Sequence, residues 1–332
     1  MSVTVVAFFN NKGGVGKTSL VYHLAWMFAD RGKRVLAVDL DPQANLSAFF
    51  IDEDKLALLW PEEDSLDNTI FTAIRPLLRG VGDVAKPHLE FIQEKLALIP
   101  GDMQLSNFEN DLSGMWSDCL DRSERAFRVM SAFWRVIQEG ARDHRADVVF
   151  VDLGPNLGAI NRAALISADY IVIPLGPDLF SLKGLCNLGP TLRLWRDEWN
   201  ERFNRNPDRS LILPAGTMQP IGYVMLQHSV RLDRPAVAYE KWMARIPAYY
   251  RKYVLDTPYN TLPKVENDEH CFAMLKHYRS LMPMAQEARK PMFFLKPSDG
   301  AIGAHANAVP EVYADFQLLA RKIGARSGIT LG

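Results

Sequence analysis

The sequence predicts an α/β fold in which a mostly parallel, twisted sheet carries helices on both faces. The first observation is a series of continuous apolar stretches of strand length, as expected for parallel strands buried on both sides. The second is the alternation of these stretches with longer segments of helical periodicity, which is typical of βαβ units. The third is the placement of glycines and carboxylates directly after the apolar stretches, where ligands bind in open α/β sheets.

A glycine-rich turn follows the first predicted strand. That strand covers residues 3–9 and the first predicted helix covers residues 17–31, so Lys12-Gly13-Gly14-Val15-Gly16-Lys17-Thr18-Ser19 joins a strand to a helix. Glycines allow the backbone to turn its N–H groups toward an anion, and the helix N-terminus adds partial positive charge. Lys17 can reach the β- and γ-phosphates of a nucleotide, and the Thr18 hydroxyl can bind Mg²⁺. We therefore predict a phosphate-binding loop whose residues 13–19 contact the nucleotide.

Two carboxylates follow the second predicted strand, residues 34–39. They are Asp39 and Asp41, in the run Asp39-Leu40-Asp41-Pro42-Gln43. The carboxyl end of a strand beside a phosphate loop is where ligands bind in such sheets, so both side chains are candidate site residues. The alternative interpretation is a simple strand-end turn that begins at Asp41-Pro42.

A third carboxylate ends the clearest buried strand, residues 147–152. An apolar strand that ends in Asp152 is a Walker B arrangement, because its carboxylate can hold a Mg²⁺-bound water or the Thr18 hydroxyl. In the following turn, Gly154 can present its N–H group to a γ-phosphate. Strands often end in aspartate, but behind a phosphate loop this ending indicates a nucleotide site.

The remaining elements continue the alternation. The acidic segment 51–95 is expected to be irregular apart from a helix near residues 68–78. Further strands are predicted over residues 96–100, 170–175 and 219–227, and further helices over residues 122–142, 181–202 and from about Pro310 onward. No repeat or low-complexity linker divides the sequence, so we expect one domain over residues 1–332.

The phosphate loop departs from the general motif at two positions. Asn11 stands where the general loop has its first glycine, and Lys12 adds a second lysine. This pattern resembles the deviant Walker A motif of the ParA/MinD family of ATPases. The Asp39–Gln43 run and Ser181-Leu182-Lys183-Gly184-Leu185 are similar to ParA-type members in particular. The family's Asp-x-Pro-Pro run is also recognisable after the Walker B strand, with Gly154 in place of its first proline.

The resemblance implies a Mg²⁺-dependent ATPase that forms a homodimer when ATP is bound. It assigns Asp41 to the attacking water, places Asp39 near the Mg²⁺ and lets Lys12 reach the partner's nucleotide. It also implies non-specific DNA and a ParB-like or other stimulating protein as partners. The cargo or pathway stays open: it could be plasmid partition, chromosome segregation, positioning of another complex, or a regulatory or defence role. The resemblance extends to about residue 227 and includes the closing helix, but it is weak over residues 228–300, which are elaborated.

A basic segment in this elaborated region is the candidate DNA surface. Residues 228–290 carry 11 Lys/Arg against 7 Asp/Glu, whereas residues 51–124 carry 6 against 16. The candidate contacts are Lys241, Arg245, Arg251 and Lys252, with three aromatic residues and no acid between them. Such cations would bind phosphates without reading sequence; the alternative is the solvated face of an amphipathic helix. Gln227, just before this region, is a candidate base contact.

Composition limits the other classes of function. The net charge is −1, so no overall attraction to DNA or an anionic membrane is expected. The sequence has no run of 18 apolar residues and no signal peptide is expected. Three widely spaced cysteines fit a reducing cytosol better than a disulfide framework, so we expect a cytoplasmic protein.

Three alternatives to the ParA-type interpretation are less consistent with the sequence. A MinD-like membrane role is not favoured, because the tail 321–328 is short and broken by glycines. An iron–sulfur carrier would need cysteines flanking the Walker B turn; Cys119 and Cys186 lie on either side of it but far away in sequence, so buried free thiols are favoured. The presence of Lys17, Asp41 and Asp152 argues against a scaffold that binds nucleotide without hydrolysing it.

Overall fold

A computed structural model describes residues 2–60, 68–226, 236–257, 263–278 and 280–332, with the backbone alone at 236–239. Eight strands lie in this part of the chain. They are β1 Thr4–Phe8, β2 Val35–Asp39, β3 Glu90–Gln93, β4 Leu96–Ile99, β5 Val148–Asp152, β6 Tyr170–Leu175, β7 Gln219–Leu226 and β8 Cys271–Leu275.

These strands form one sheet in the order β3-β4-β2-β5-β1-β6-β7-β8. Every neighbouring pair is parallel except β3 with β4, so the predicted mostly parallel α/β sheet is confirmed. The central strands β1, β2 and β5 are almost fully buried, which explains their continuous apolar sequences.

Helices cover both faces of the sheet. They are α1 Lys17–Asp30, α2 Asn45–Phe50, α3 Glu53–Leu59, α4 Ile70–Leu78, α5 Phe108–Asp118, α6 Glu124–Met130, α7 Ala132–His144, α8 Ala159–Ile166, α9 Leu179–Phe203, α10 Ala236–Met243, α11 Ile246–Tyr249, α12 Leu281–Ala288 and α13 Ala304–Ser327. One buried apolar cluster includes residues of α4 to α9. The other includes residues of α1, α2, α12 and α13. None of the helices in the described residues combines the length and the apolar character needed to cross a bilayer.

Three predicted elements differ from the structure. The helix predicted over residues 122–142 is two helices, α6 and α7. They break at Ser131, where φ is −93° and ψ is 1° and the hydroxyl donates to the Phe127 carbonyl at 2.7 Å. The segment expected to be irregular contains α3 and the antiparallel strand β3. The closing helix begins at Ala304 and accommodates Pro310 within it.

The elaborated region packs closely on α9. Gly189 of α9 lies so near a π-helical segment, Tyr250–Leu255, that a Cβ atom there would come 1.9 Å from the Tyr253 carbonyl oxygen. Arg193 donates to that same oxygen at 2.8 Å. The far side of the region is anchored to β7, because the Tyr223 hydroxyl donates to Asp268 at 2.7 Å. Backbone contact and buried polar bonds therefore fix this region to the sheet.

Candidate functional site

The sheet order brings the predicted site residues to one edge. β5 lies between β1 and β2, and Asp152 is the register partner of both Phe8 and Asp39. The phosphate loop leaves β1 at this same end, because parallel strands all point the same way. Lys17 and Asp152, which are 135 positions apart in sequence (152 − 17), thus meet at the carboxyl ends of the central strands, as the sequence predicted.

The phosphate loop has the backbone conformation that its glycines allow. Gly14 has φ of 70°, and Gly16, in the left-handed region at φ 91°, directly precedes α1. Lys17 begins the helix and is only 7% exposed. Burial lowers the pKa of its ammonium group from the ordinary value, while the nearby charges of Asp152 and Asp41 oppose that shift. The loop therefore holds one cation beside two carboxylates.

Asp152 is fully buried, and neither of its carboxylate oxygens has a hydrogen-bond partner of normal geometry. Burial raises its pKa to about 7, although the Lys17 charge and the Thr18 hydroxyl favour the ionised form. An uncompensated buried carboxylate is costly unless a cation or a donor meets it. Thr18 and Asp152 are oxygen donors of the kind that Mg²⁺ prefers, so these residues fit a bound Mg²⁺ ion.

Asp39 fits a supporting role better than that of a metal ligand. Its side chain is fully buried, and one oxygen accepts two hydrogen bonds of 2.8 Å from the backbone and hydroxyl of Ser47. Burial and the charge of Asp152 raise its pKa to about 8. The carboxylate therefore ties the start of α2 to the end of β2, and the metal role of Thr18, Asp39 and Asp152 stays a prediction.

Asp41 lies at the rim of the same cluster. It is 6% exposed, and its carboxylate accepts a hydrogen bond from the Gln43 backbone at 3.0 Å. A Cβ atom on Gly154 would lie 3.3 Å from an Asp41 oxygen, so the two loops after β2 and β5 nearly touch. This position fits a side chain that orients a water molecule against a terminal phosphate.

The sequence analysis missed two residues that fix the loop after β5. The buried amide of Asn161, on α8, donates to the carbonyls of Gly154 at 2.9 Å and Asn156 at 2.6 Å. Glu109 of α5 accepts from the backbone of Ala159 at 2.5 Å and of the next residue at 2.9 Å, which caps the start of α8. Neither residue belongs to a local motif, so only the fold reveals them.

Lys12 makes an ion pair within its own chain. Its ammonium group lies 2.5 Å from the Asp178 carboxylate, which also caps α9 by accepting from the Ser181 backbone at 3.0 Å. Burial would raise the pKa of Asp178, but the hydrogen bonds from Lys12 and Ser181 outweigh it and hold the pKa below the usual range. Asn10 accepts from the Lys12 backbone at 3.1 Å, so the loop start is fixed as well.

The predicted basic surface is only partly available. Lys241 and Arg245 are exposed and lie over the Trp242 ring at 5.5 and 5.4 Å, and Lys252 is exposed beside Tyr253. Arg251 differs from the prediction, because its guanidinium is held by Asp268 through bonds of 3.0 and 2.7 Å. An arginine engaged in this way is not a free phosphate contact.

Two further predictions concern Gln227 and Cys119. Gln227, the predicted base contact, lies outside the described residues. Cys119 is buried, and burial raises its thiol pKa to about 12, which is unlike a cluster ligand.

A cavity of about 490 Å³ opens at the phosphate loop and continues into the last third of the chain. Its lining from the first part of the chain includes residues 13–20, Asp41, Gln43 and Pro155. Its lining from the last third consists of Leu226, Leu275, Lys276, His277, Tyr278, Met282, Gln286, Met292 and Phe316. The cavity thus has a polar phosphate end, and side chains of the last third, several of them apolar, line the rest of it; the Met282 sulfur lies 3.5 Å from the Ser19 hydroxyl.

Comparison with known sequences gives matches over the first two thirds of the chain. The AAA_31 family model, described as an AAA domain, matches residues 3–205. A protein from Rhizobium rhizogenes, provisionally named replication protein A, is 35% identical over 212 residues, which is 63% of this chain and 49% of that protein. The sporulation initiation inhibitor protein Soj of Bacillus subtilis is 30% identical over 59% of this chain and 67% of Soj. The chain therefore spans about half the length of the first of these relatives.

Solved structures match over more of the chain. A protein of Corynebacterium diphtheriae is 27% identical with a TM-score of 0.65, covering 79% of this chain and 91% of that one. An ATP complex of Cyanothece McdA gives a TM-score of 0.59 at 16% identity and covers 100% of this chain and 98% of its own. The cell division ATPase MinD of Pyrococcus furiosus gives a TM-score of 0.53 at 19% identity, and the match covers 97% of this chain and 98% of MinD. At these identities, McdA and MinD show likeness of fold alone.

Proposed function

The chain belongs to the AAA_31 family and is a ParA/MinD-type P-loop ATPase, and on this premise we propose that it is an ATP-dependent, dimerising switch of the ParA type. The observation that carries the proposal is the fully buried Asp152 carboxylate, whose oxygens have no hydrogen-bond partner of normal geometry and which lies close to Lys17 and Thr18. Such a carboxylate needs a cation, and a Mg²⁺-nucleotide would supply one.

The proposed reaction is hydrolysis of ATP to ADP and phosphate. Lys17 holds the β- and γ-phosphates and compensates charge that develops on them. Asp41 accepts a hydrogen bond from the attacking water and aligns it with the γ-phosphorus. Thr18 and Asp152 would hold Mg²⁺, which when bound draws charge from the phosphate oxygens. Gly154 directs its N–H group at the γ-phosphate from the loop that Asn161 fixes.

Dimerisation gives Lys12 its role. In a single chain, Lys12 pairs with Asp178, and both side chains remain partly exposed. When ATP brings a second copy onto this face, Lys12 exchanges Asp178 for the partner's phosphates and adds positive charge in trans. Because ATP binds the dimer more tightly than the monomer, ATP favours the dimer by linkage.

We propose non-specific DNA as a further ligand, bound by the exposed cations Lys241, Arg245 and Lys252. A ParB-like or other protein would stimulate hydrolysis and release the dimer. Such a switch would act in the cytoplasm, on the nucleoid where it binds DNA, in partition or positioning of a cargo.

The hydrolysis step is tested by release of phosphate from purified protein with Mg²⁺ and ATP. Asp41→Ala should bind ATP as the wild type does and lose about 10²-fold or more in turnover, since it removes the water-orienting group alone. Asp41→Asn is the matched variant, because it keeps the shape and loses the charge. Normal turnover by Asp41→Ala would remove Asp41 from the mechanism.

The role of Lys12 is tested by sedimentation velocity with Mg²⁺ and ATP. Lys12→Ala should stay monomeric at protein concentrations where the wild type dimerises, and Lys264→Ala, which removes another exposed lysine, should not change the dimer. A wild-type dimer of the Lys12 variant would exclude a role for this lysine in trans.

The DNA surface is tested by ATP-dependent co-sedimentation with DNA at several salt concentrations. Changing Lys241, Arg245 and Lys252 together to Glu should abolish retention, because each lost phosphate contact weakens salt-dependent binding. Arg251 is left unchanged in this variant, because substituting it would break its ion pair with Asp268 inside the fold. Unchanged retention by the triple variant would exclude this surface.

A further inference from the structure

The loop after β2 contains a strained turn between Asp41 and α2. Ala44 has a φ of 50°, in the left-handed region that a residue with a Cβ atom rarely adopts. It is fully buried, and its backbone N–H group donates to the Asp41 carbonyl at 2.8 Å. Such a conformation persists only where surrounding contacts hold it, and it is most common at functional sites. The contacts that hold this turn are therefore candidates for fixing the position of Asp41.

The Asp39 carboxylate holds both ends of that turn. Its Oδ1 atom accepts a hydrogen bond of 3.3 Å from the Asp41 backbone. Its Oδ2 atom accepts two bonds of 2.8 Å, from the backbone and the hydroxyl of Ser47 in the first turn of α2. Asp39 and Ser47 are fully buried, so bulk water competes little for these bonds. One carboxylate therefore sets the distance between Asp41 and α2.

The loop after β4 holds the same carboxylate from another side. The Gly101 N–H group donates to the Ser47 hydroxyl at 2.8 Å, so this hydroxyl accepts from Gly101 and donates to Asp39. A Cβ atom on Gly101 would lie 2.8 Å from Asp39 Cγ, which is too close without a shift of the carboxylate. Gly101 is itself fixed, because its carbonyl accepts from the Trp60 indole at 3.0 Å. The Gly101 backbone thus closes one side of the Asp39 carboxylate.

We infer that Ser47 and Gly101 are positioning residues for ATP hydrolysis. Through the Asp39 carboxylate they hold Asp41 at the place from which it orients the attacking water. This inference rests on the proposed function, because it takes Asp41 as the water-orienting residue. A misplacement of about 1 Å can cost about 10²-fold in rate, so a rigid support for Asp41 matters. The phosphate loop, residues 13–19, follows a different strand, and nucleotide affinity should not depend on this support.

The experiment compares turnover with nucleotide affinity. Phosphate release with Mg²⁺ and ATP gives kcat, and calorimetric titration with Mg²⁺ and a non-hydrolysable ATP analogue gives Kd. Ser47→Ala should lower kcat about tenfold and leave Kd unchanged, because Asp39 and Gly101 each lose a partner. Ser131→Ala is the matched control, since it removes an equally buried hydroxyl from the break between α6 and α7. It should change neither quantity.

A second variant makes the result independent of how well Ser47→Ala folds. Gly101→Ala displaces the Asp39 carboxylate but retains the Ser47 hydroxyl, and it should also lower kcat without changing Kd. Gly114→Ala is its control, because its added Cβ meets nothing within 4 Å. If kcat stays at the wild-type value in Ser47→Ala and Gly101→Ala, or if Kd rises as much as kcat falls, the inference is wrong.

A double-mutant cycle distinguishes positioning of Asp41 from a general structural effect. In Asp41→Ala the group that Ser47 positions is gone, so adding Ser47→Ala should lower the residual turnover by less than about twofold. The same holds for adding Gly101→Ala. A further tenfold loss in the Asp41→Ala background would show that these residues act independently of Asp41, which contradicts the inference.

The same variants separate this inference from the proposed function. Normal turnover by Asp41→Ala would contradict the proposed role of Asp41, and the positioning roles with it. Loss of turnover in Asp41→Ala, together with wild-type turnover in Ser47→Ala and Gly101→Ala, would contradict the positioning roles alone.

Discussion

The two ends of the cavity are built in different ways. At the phosphate end, Lys17, Asp41 and Asp152 follow directly from adjacent parallel strands and one glycine-rich turn. At the end built by the last third, Met292 and its neighbours come from short segments held by side-chain contacts to α1 and α13, such as the bond of 3.1 Å that the Met292 N–H group donates to His23. The first end is fixed by backbone geometry, and the second by tertiary packing.

Because of this difference, substitutions in the two regions should have different effects on catalysis and on stability. Substitutions at the phosphate end should impair chemistry and leave the fold stable, because the reacting groups lie at strand ends and support little of the core. Substitutions where the last third docks should reduce stability and leave the chemistry at the phosphate loop intact. For Lys17, the first prediction below, the comparison would be weakened if loss of turnover and loss of stability appeared together.

The largest effect is expected at Lys17. Lys17→Ala should lower kcat/KM for ATP by about 10³-fold, or about 4 kcal/mol of transition-state stabilisation, because it removes the charge that meets the developing phosphate charge. The free energy of unfolding should change little, because relief from the cost of burying the ammonium offsets the loss of the positive charge beside Asp152 and Asp41. Phosphate release and urea unfolding measure the two quantities. Strong destabilisation of Lys17→Ala would contradict the statement that the phosphate end supports chemistry and not the stability of the fold.

The next largest effect is expected where α9 crosses the elaborated region. Gly189→Ala should reduce the free energy of unfolding by about 3 kcal/mol, because the added methyl group would meet the Tyr253 carbonyl at 1.9 Å. Gly114→Ala on α5 is the matched control, since nothing lies within 4 Å of its added Cβ. It should stabilise the protein by up to about 1 kcal/mol. Equal stability of the two variants in urea would show that the region does not dock as described.

An intermediate effect of pH is expected at His23. The ring binds a proton near pH 6.5 when unfolded but only near pH 4 when buried, so the unfolded state holds more protons between these values. Stability should therefore fall as the pH falls from 7 to 5, by about 2 kcal/mol from this group. His23→Phe should lack that part of the slope. Urea unfolding at both pH values checks this, and parallel slopes for the two proteins would contradict it.

The smallest effect is expected at the loop after β5. Glu109→Ala removes the carboxylate that caps α8, and should cost about 1 kcal/mol of stability. It should also slow hydrolysis several-fold without changing the Kd for ATP, since it frees the loop that carries Gly154. Glu109→Gln keeps one acceptor, so its stability and its turnover should lie between those of the wild type and of Glu109→Ala. Unchanged turnover in Glu109→Ala would show that the cap on α8 does not influence hydrolysis.

Much of the phosphate end could be predicted from sequence. The glycine-rich turn, Asp41 and Asp152 each belong to a local pattern, and sheet topology then brings the patterns together. The same reasoning placed the central strands within about one residue of their bounds, because strands buried on both faces are continuously apolar. Lys12 could be matched to a family motif because that motif is also a local sequence pattern.

The remaining features depend on contacts that no local pattern records. Ser131 interrupts a helix whose apolar stripe continues through it, because its hydroxyl bonds the preceding turn. Arg251 looks like a free cation until the fold sets Asp268 beside it. Asn161 and His23 have no motif at all, and their importance follows only from the backbone atoms that they join, 4 to 269 positions away.

The central proposal is that ATP, and not ADP, joins two copies of this chain. Sedimentation velocity of Asp41→Ala with Mg²⁺ tests it most directly, because this variant should hold ATP without consuming it. With ATP we expect a species of about twice the chain mass of 37.5 kDa, and with ADP a monomer. The same mass with both nucleotides would contradict the account.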